Sequence, residues 1–286
     1  MKPETVALLH PGNMGATVGA AARSGGARVV WTSRGRSGAT RERAERAGLI
    51  DVVDLSTALA QSEAVLSICP PHAALSVARK VAGAKFRGVY VDANAVSRAT
   101  AEEIGRVVTE AGASFVDGGI IGSPVKQAGS TRLYLSGVGA ERVTELFSGT
   151  LLDARAIGDQ PGAASALKLA YAAWTKCSDV LAIAIRAYAS HEGVDAALLE
   201  EWAISQPTLA KKCDRAASVA VPKAWRYVGE MEEIADAFKR AGLPGGFHDA
   251  AAELCQQLVC FKDQTDPSPS VASVLQVLGT NRAWAK

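Results

Sequence analysis

An apolar run at residues 6–9 (V-A-L-L) stops at His10-Pro11 and gives way to Gly12, Gly15 and Gly19, set among small side chains. The run reads as a buried strand, the glycines as a tight turn, and the small residues as a closely packed helix start. A strand, a glycine turn and a helix N-terminus in that order make an anion site. The turn lets backbone N–H groups approach a phosphate, and the helix dipole favours negative charge there. The spacing G-x-x-G-x-x-x-G stands in place of the commoner G-x-G-x-x-G, and it reads as a dinucleotide fingerprint opening a βαβ unit. The plainer alternative is an ordinary strand-to-helix turn. A second strand at 27–32 (A-R-V-V-W-T) weighs against it, because it ends about twenty residues after Gly12, where a ribose-reading residue is expected.

The residues after that second strand are Ser33-Arg34-Gly35-Arg36-Ser37. A chain that prefers NAD usually carries Asp or Glu here to bind the ribose hydroxyls. This one offers a hydroxyl and two guanidiniums, and the segment has no acid to repel a 2′-phosphate. Ser33, Arg34 and Arg36 are therefore expected to select NADP; the alternative is that the arginines are solvated loop residues.

Further strands are expected at 52–53, 64–68, 88–92, 114–117 and 133–136, alternating with helices at 40–48, 55–62, 73–81, 97–111 and 140–147. Ser97 or Thr100 is expected to cap the fourth of these helices, with glutamates in its first turn. Such alternation predicts an α/β fold, a Rossmann-type doubly wound parallel sheet. The loop Cys69-Pro70-Pro71-His72 follows the strand at 64–68, and Asn94 follows the one at 88–92. Both lie at carboxyl ends of strands, where a cofactor crevice forms. Cys69, Pro70, Pro71 and Asn94 join Gly12, Asn13, Met14 and Gly15 as expected cofactor contacts, and His72 reads as a helix-cap or solvent-facing residue. A polar junction at 158–162 ends the alternation. One long helix at 163–189 follows, and then only helical periodicity, so an all-helical C-terminal domain is expected. The domains are read as 1–157, binding NADP, and 158–286, binding substrate and forming a dimer.

Composition narrows the partners. Net charge is +2 in 286 residues, with no basic stripe interleaved with aromatics, so no nucleic-acid partner is expected. No apolar run reaches membrane-spanning length and the N-terminal segment M-K-P-E-T-V has no signal-peptide core, so neither a membrane nor an export role is expected. Five scattered cysteines suit free thiols in a reducing cytoplasm, and no metal site is expected.

The long helix carries a lysine amid alanine and leucine: G-A-A-S-A-L-K-L-A-Y-A-A-W-T-K. Ser165, Lys168, Tyr171 and Thr175 recur at spacings of three and four, on one face. Burial lowers a lysine's pKa, which suits a proton donor to a carbonyl oxygen during hydride addition. Alternatively Lys168 extends its amine to solvent or to a phosphate.

H-P-G-N-M-G at the turn, V-D-A-N after residue 90, D-G-G-I-I-G-S-P at 117–124 and the Lys168 helix stand in the order of one family. The chain resembles the β-hydroxyacid dehydrogenase superfamily, which includes 6-phosphogluconate and 3-hydroxyisobutyrate dehydrogenases and, more distantly, imine reductases. It is most similar to a phosphogluconate-dehydrogenase-like subgroup with its own type of C-terminal domain. The resemblance implies that Lys168 is the catalytic lysine, that Gly122 and Ser123 bind substrate, and that the C-terminal helices build a homodimer and help close the substrate site. Tyr171 is expected beside the lysine as a catalytic partner, with Thr175 and Arg226 in substrate binding; Arg226 pairing with Glu230 along its own helix is the alternative.

This chain departs from the family at three places. Ala172 replaces the substrate-holding Asn, Thr175 replaces the decarboxylating enzymes' glutamate, and Ile121-Gly122-Ser123 replaces Ser-Gly-Gly. These changes argue against 6-phosphogluconate itself and against an ordinary small hydroxyacid. The expected function is an NADP-dependent oxidoreductase moving hydride between the nicotinamide and a C–OH/C=O carbon of a small, acidic substrate. Imine reduction, with Tyr171 protonating nitrogen, and a non-catalytic NADPH sensor are the alternatives.

Overall fold

The computed structural model describes residues 4–280. The chain forms two compact units, Met1–Leu169 and Ala170–Lys286.

In the first unit, strands β1 (Thr5–Leu9), β2 (Arg28–Trp31), β3 (Ile50–Asp51), β4 (Ala64–Ser67), β5 (Val89–Asp92), β6 (Ser114–Gly122), β7 (Thr131–Ser136) and β8 (Asp153–Ala156) build one sheet in the order β3-β2-β1-β4-β5-β6-β7-β8. The first six are parallel and follow the dinucleotide-fold order. Alternate residues of β1 point to opposite faces: Val6 and Leu8 enter one apolar cluster with Val18 and Leu133, and Ala7 and Leu9 enter another with Val77 and Ile104. Helices α1 (Asn13–Ser24), α2 (Gly38–Arg46), α3 (Leu55–Ala60), α4 (Ala74–Gly83), α5 (Arg98–Glu110) and α6 (Ala140–Glu145) connect the strands. A sheet covered on both faces explains why its strands read as continuous apolar runs.

Four expectations need correction. β7 runs antiparallel to β6, and β8 pairs parallel with β7, so the last two strands reverse the sheet. The short strand or strand approach expected at 52–53 follows a strand at Ile50–Asp51, since Val53 turns into the left-handed region at φ 68° and leaves the ladder. β6 continues through Gly118 and Gly119 to Gly122, where a loop was expected after residue 117. Ser97 does cap α5, accepting the Thr100 amide at 3.3 Å, but the glutamates lie beyond the first turn.

Helix α7 (Ala163–His191) begins in the first unit and continues into the second. The second unit holds the rest of α7 and α8 (Asp195–Ser205), α9 (Leu209–Arg215), α10 (Ala224–Arg240), α11 (Gly246–Gln257) and α12 (Val271–Thr280). Among the described residues, no helix is long and apolar enough to cross a membrane.

Candidate functional site

The glycine turn is built by one strained residue and one close approach. His10 adopts φ 70°, and its carbonyl accepts the Gly12 amide at 2.7 Å. A Cβ on Gly15 would lie 2.6 Å from that same carbonyl oxygen, so only glycine fits. A Cβ on Gly12 would meet nothing within 4 Å, and no side chain caps α1. Asn13 is exposed and Met14 half-buried at the first turn. An uncapped helix start facing open space is suited to a phosphate.

The segment after β2 closes against this turn. Ser33 is buried, and its amide donates to Asp51 Oδ1 at 3.2 Å. Arg34 is exposed and lies 3.7 Å from Asp54. Arg36 is half-buried, with its Nε shielded and without a partner, as is Nδ1 of His10. Burial, and then the Arg36 charge, push His10 down to about 4, so the imidazole is neutral at physiological pH. Arg41 donates to the Ser33 carbonyl at 3.3 Å and Arg43 to the Pro11 carbonyl at 3.4 Å. The sequence reading found no acid in this segment, yet Asp51 and Asp54 come to it from β3 and the loop after it. It also missed Arg41 and Arg43, whose only signal was their place on a charged helix. Two orphaned buried nitrogens, an open glycine and four arginines fit a nucleotide that carries phosphate.

Asn94, expected on the cofactor, is buried with its amide spent on the fold. Its Nδ2 donates to Asp92 Oδ2 at 2.9 Å and Ser67 Oγ at 3.1 Å, and its Oδ1 accepts the Cys69 amide at 2.5 Å. Both amide hydrogens are used, so the Asn94 side chain holds the Cys69–Pro71 loop. Burial raises the Cys69 thiol to about 11 and the fully buried Asp92 carboxyl to about 7. Cys69 is thus no nucleophile at neutral pH. Pro70 and His72 are exposed, and Pro71 is half-buried.

The loop after β6 folds back onto α1: the Val125 amide donates to Thr17 Oγ1 at 3.1 Å. Gly122 (φ 124°) and Ser123 are exposed, and the Ser123 carbonyl accepts Thr131 Oγ1 at 2.5 Å. Gly119, Ile121 and Asp117 share one face of β6, and α7 starts against it: a Cβ on Gly119 would lie 2.6 Å from the Ala164 carbonyl and 3.0 Å from Lys168 Cβ. Lys168 is half-buried there, and desolvation lowers its pKa. Within the first unit, then, the loop after Gly122 and Ser123 reaches α1, and Lys168 packs on the strand that leads into that loop.

Tyr171 and Thr175 follow on the same helix, in the second unit. Tyr171 is exposed, and the Thr175 hydroxyl is spent on the Tyr171 carbonyl at 2.9 Å. Arg226 is exposed and stacks on the Trp225 ring at 4.9 Å. Glu230 pairs with Lys176, so the Arg226–Glu230 alternative is not what forms. Among the described residues, no group of His, Cys, Asp and Glu is arranged to hold a metal.

Comparison with known proteins adds the context. Residues 189–258 match DUF1932, a domain of unknown function. A 28.5 kDa uncharacterized protein from Methanothermus fervidus is 31% identical over 169 residues, 58% of this chain and 64% of that protein. The match thus spans less than two thirds of that relative. A conserved protein of unknown function, whose structure revealed similarity with 3-hydroxyacid dehydrogenases, superposes with a TM-score of 0.70 at 25% identity, over 90% of this chain and 97% of its own. The Mycobacterium tuberculosis 3-hydroxyisobutyrate dehydrogenase, solved with L-serine, gives 0.70 at 18% over 96% and 99%. These neighbours are 3-hydroxyacid dehydrogenase-like proteins, a likeness of fold that fits the β-hydroxyacid dehydrogenase superfamily. An imine reductase from Pseudomonas sp. shares the fold more loosely, at a TM-score of 0.53 and 19% identity over 97% and 100%. As in this superfamily, a Rossmann-type sheet is followed by a helical region.

Proposed function

We propose that this chain is an NADP-dependent oxidoreductase acting on a carbon that bears oxygen in a small, acidic substrate. The observation that carries the reading is Lys168, half-buried on α7 where the helix packs against Gly119, three residues before Gly122. The nicotinamide supplies or accepts hydride when bound. The chain's own residues do the rest. Lys168 Nζ gives a proton to the substrate oxygen in reduction or takes it in oxidation, a task eased because burial brings its pKa toward the working range. The exposed Ser123 orients the substrate; Tyr171 is read as a second orienting or proton-carrying group, and Thr175 and Arg226 as substrate-binding residues. The uncapped start of α1 takes the pyrophosphate.

Arg34 and Arg36 hold the 2′-phosphate in this reading, supported by Arg41 and Arg43. Replacing Arg36 by Ala is expected to weaken NADPH binding about 10- to 100-fold, the worth of a charge-assisted hydrogen bond, and to leave NADH almost unaffected. Fluorescence titration with the two nucleotides reads this directly. Equal losses for both would remove the arginine from specificity.

A homodimer through the C-terminal helices is part of the same proposal. Tyr171, Trp174, Leu181, Ile185 and Tyr188 are exposed on α7; Trp174, Leu181 and Tyr188 recur every seven residues and Tyr171 and Ile185 stand fourteen apart, and Trp174 and Tyr188 are 73% and 66% exposed. Trp174→Glu is expected to shift the sedimenting species from dimer to monomer. The free cysteines suit a cytoplasmic setting.

The functional test is a panel of β-hydroxyacids, their keto counterparts and cyclic imines, each followed by nicotinamide absorbance with NADPH or NADP. Turnover of a hydroxy or keto acid supports the proposal. Turnover of imines alone favours imine reduction, for which the exposed Tyr171 beside the buried Ala172 is the supporting observation. Tight NADPH binding with no consumption across the panel favours a sensor.

A further inference from the structure

Asp117 is fully buried on the face of β6 that also carries Gly119. Its Oδ1 accepts from Ser165 Oγ at 2.5 Å, and its Oδ2 accepts from the Ser165 amide at 2.8 Å. Ser136, its register partner on β7, donates its hydroxyl to Asp117 Oδ2 at 3.1 Å and accepts the Ala164 amide at 3.0 Å. The first amides of any α-helix lack partners within the helix, and a nearby side chain usually takes them. In α7 they are taken by two strands of the sheet, 28 and 48 residues earlier in the chain. A local cap stabilises a helix end but leaves it free to swing. A cap supplied by the sheet fixes the helix end against the sheet.

Gly119 adds the steric half of the arrangement. The Ala164 carbonyl and Lys168 Cβ occupy the space that any side chain at 119 would fill. Lys168 follows Ser165 by three residues, so the two lie one turn apart on neighbouring lines of the helix. A carboxylate in a dry site costs desolvation that only its hydrogen bonds offset. Here those bonds gather on one turn, the turn before the lysine.

We infer that Asp117, acting with Ser136 and Ser165, is a positioning residue for Lys168: it locks the first turn of α7 to β6, so that the amine keeps a fixed place relative to Gly122 and Ser123 at the end of that same strand. The inference rests on reading Lys168 as the proton carrier. β6 then works as a ruler. Residue 117 holds the helix, residue 119 admits it, and residues 122 and 123 present the substrate loop. A displacement of about 1 Å in such a constellation can cost roughly 100-fold in rate.

The test uses the full chain and needs no substrate. Competitive labelling of lysine amines across a pH series, resolved by peptide mass spectrometry, gives the titration of Lys168; amide hydrogen exchange gives the order of residues 164–168. Ser165→Ala keeps the carboxylate and removes one contact, whereas Asp117→Asn replaces an acceptor with a donor. In both variants Lys168 is expected to titrate closer to an ordinary lysine, as its amine gains water. The amides at 164–168 are expected to exchange about 10- to 100-fold faster. Wild-type titration and exchange in both variants would overturn the inference. If Asp117→Asn does not fold, Ser165→Ala and Ser136→Ala decide alone, because each leaves the buried carboxylate in place. A purely structural cap would lower overall stability without moving the titration of Lys168 in the folded chain. Failure of the catalytic reading shows elsewhere, as intact turnover in Lys168→Ala, so the two cannot be confused.

Discussion

Turnover of the Lys168→Ala variant is expected to fall by about 100- to 10,000-fold, the usual contribution of a positioned acid or base, with NADPH affinity unchanged. The asymmetry follows from where the lysine sits. It is held against Gly119 on the strand that leads into the Gly122 loop, and the glycine turn that would take the phosphates is built by other residues. Lys168→Arg is not expected to restore the rate. A guanidinium stays charged at all working pH values, and the role needs an amine whose proton can leave. Steady-state kinetics on whichever substrate the panel identifies, paired with nucleotide titration, measures both halves. A variant that turns over normally, or that loses nucleotide binding in step with rate, would remove Lys168 from proton transfer.

The second large effect separates two glycines of one turn. Gly15→Ala places a Cβ 2.6 Å from the His10 carbonyl, a backbone atom that already accepts the Gly12 amide. The turn must open, at a cost of about 1–3 kcal/mol, typical of overpacking. Denaturant unfolding should show that loss, and nucleotide binding should fall with it. Gly12→Ala meets open space at an unstrained φ of −71°, so stability should be nearly unchanged. Binding should still fall, because the added methyl enters the volume a pyrophosphate needs. If Gly12→Ala binds nucleotide normally, the open space at the turn is not the phosphate site.

The second of these predictions draws on the part of the molecule that was easiest to read. A strand, a glycine turn and a helix are specified within seventeen consecutive residues, so their signal is local. The same holds for the alternation of strands and helices and for the Ser97 cap. What escaped the sequence was set by contacts between distant residues. Nothing local marks the direction of β7, since strand polarity depends on which neighbour it joins. Gly118 and Gly119 read as loop punctuation. They are strand residues whose missing side chains admit the Asp92 carbonyl and the start of α7. Asp117 looked like a strand-ending residue and is instead the cap of a helix nearly fifty residues later. Asn94 carried the right residue type in the right crevice, but its amide is consumed by Asp92, Ser67 and Cys69. Arg226 was expected to choose between a substrate and Glu230, and the actual choice was made by Lys176, fifty-four positions before Glu230 in the chain.

The reversal at β7 has a consequence for how such a protein could acquire new chemistry. Because β7 returns alongside β6, residues 123–130 leave and re-enter the sheet at one point, and that point is pinched shut by Thr131 on the Ser123 carbonyl and by a Gly122 that tolerates no side chain. A parallel crossover would have tied this loop to a helix on the face of the sheet, and any change in its length would have disturbed that layer. The return loop carries a lighter burden, the Val125 amide on Thr17 Oγ1 of α1. Beyond Val125, at residues 126–130, its length and sequence can drift while the strands and helices stay where they are. In the proposed reading, the segment that would choose the substrate is thereby separable from the residues that would perform the reaction, so exchanging residues 126–130 between relatives is the economical route to a new specificity.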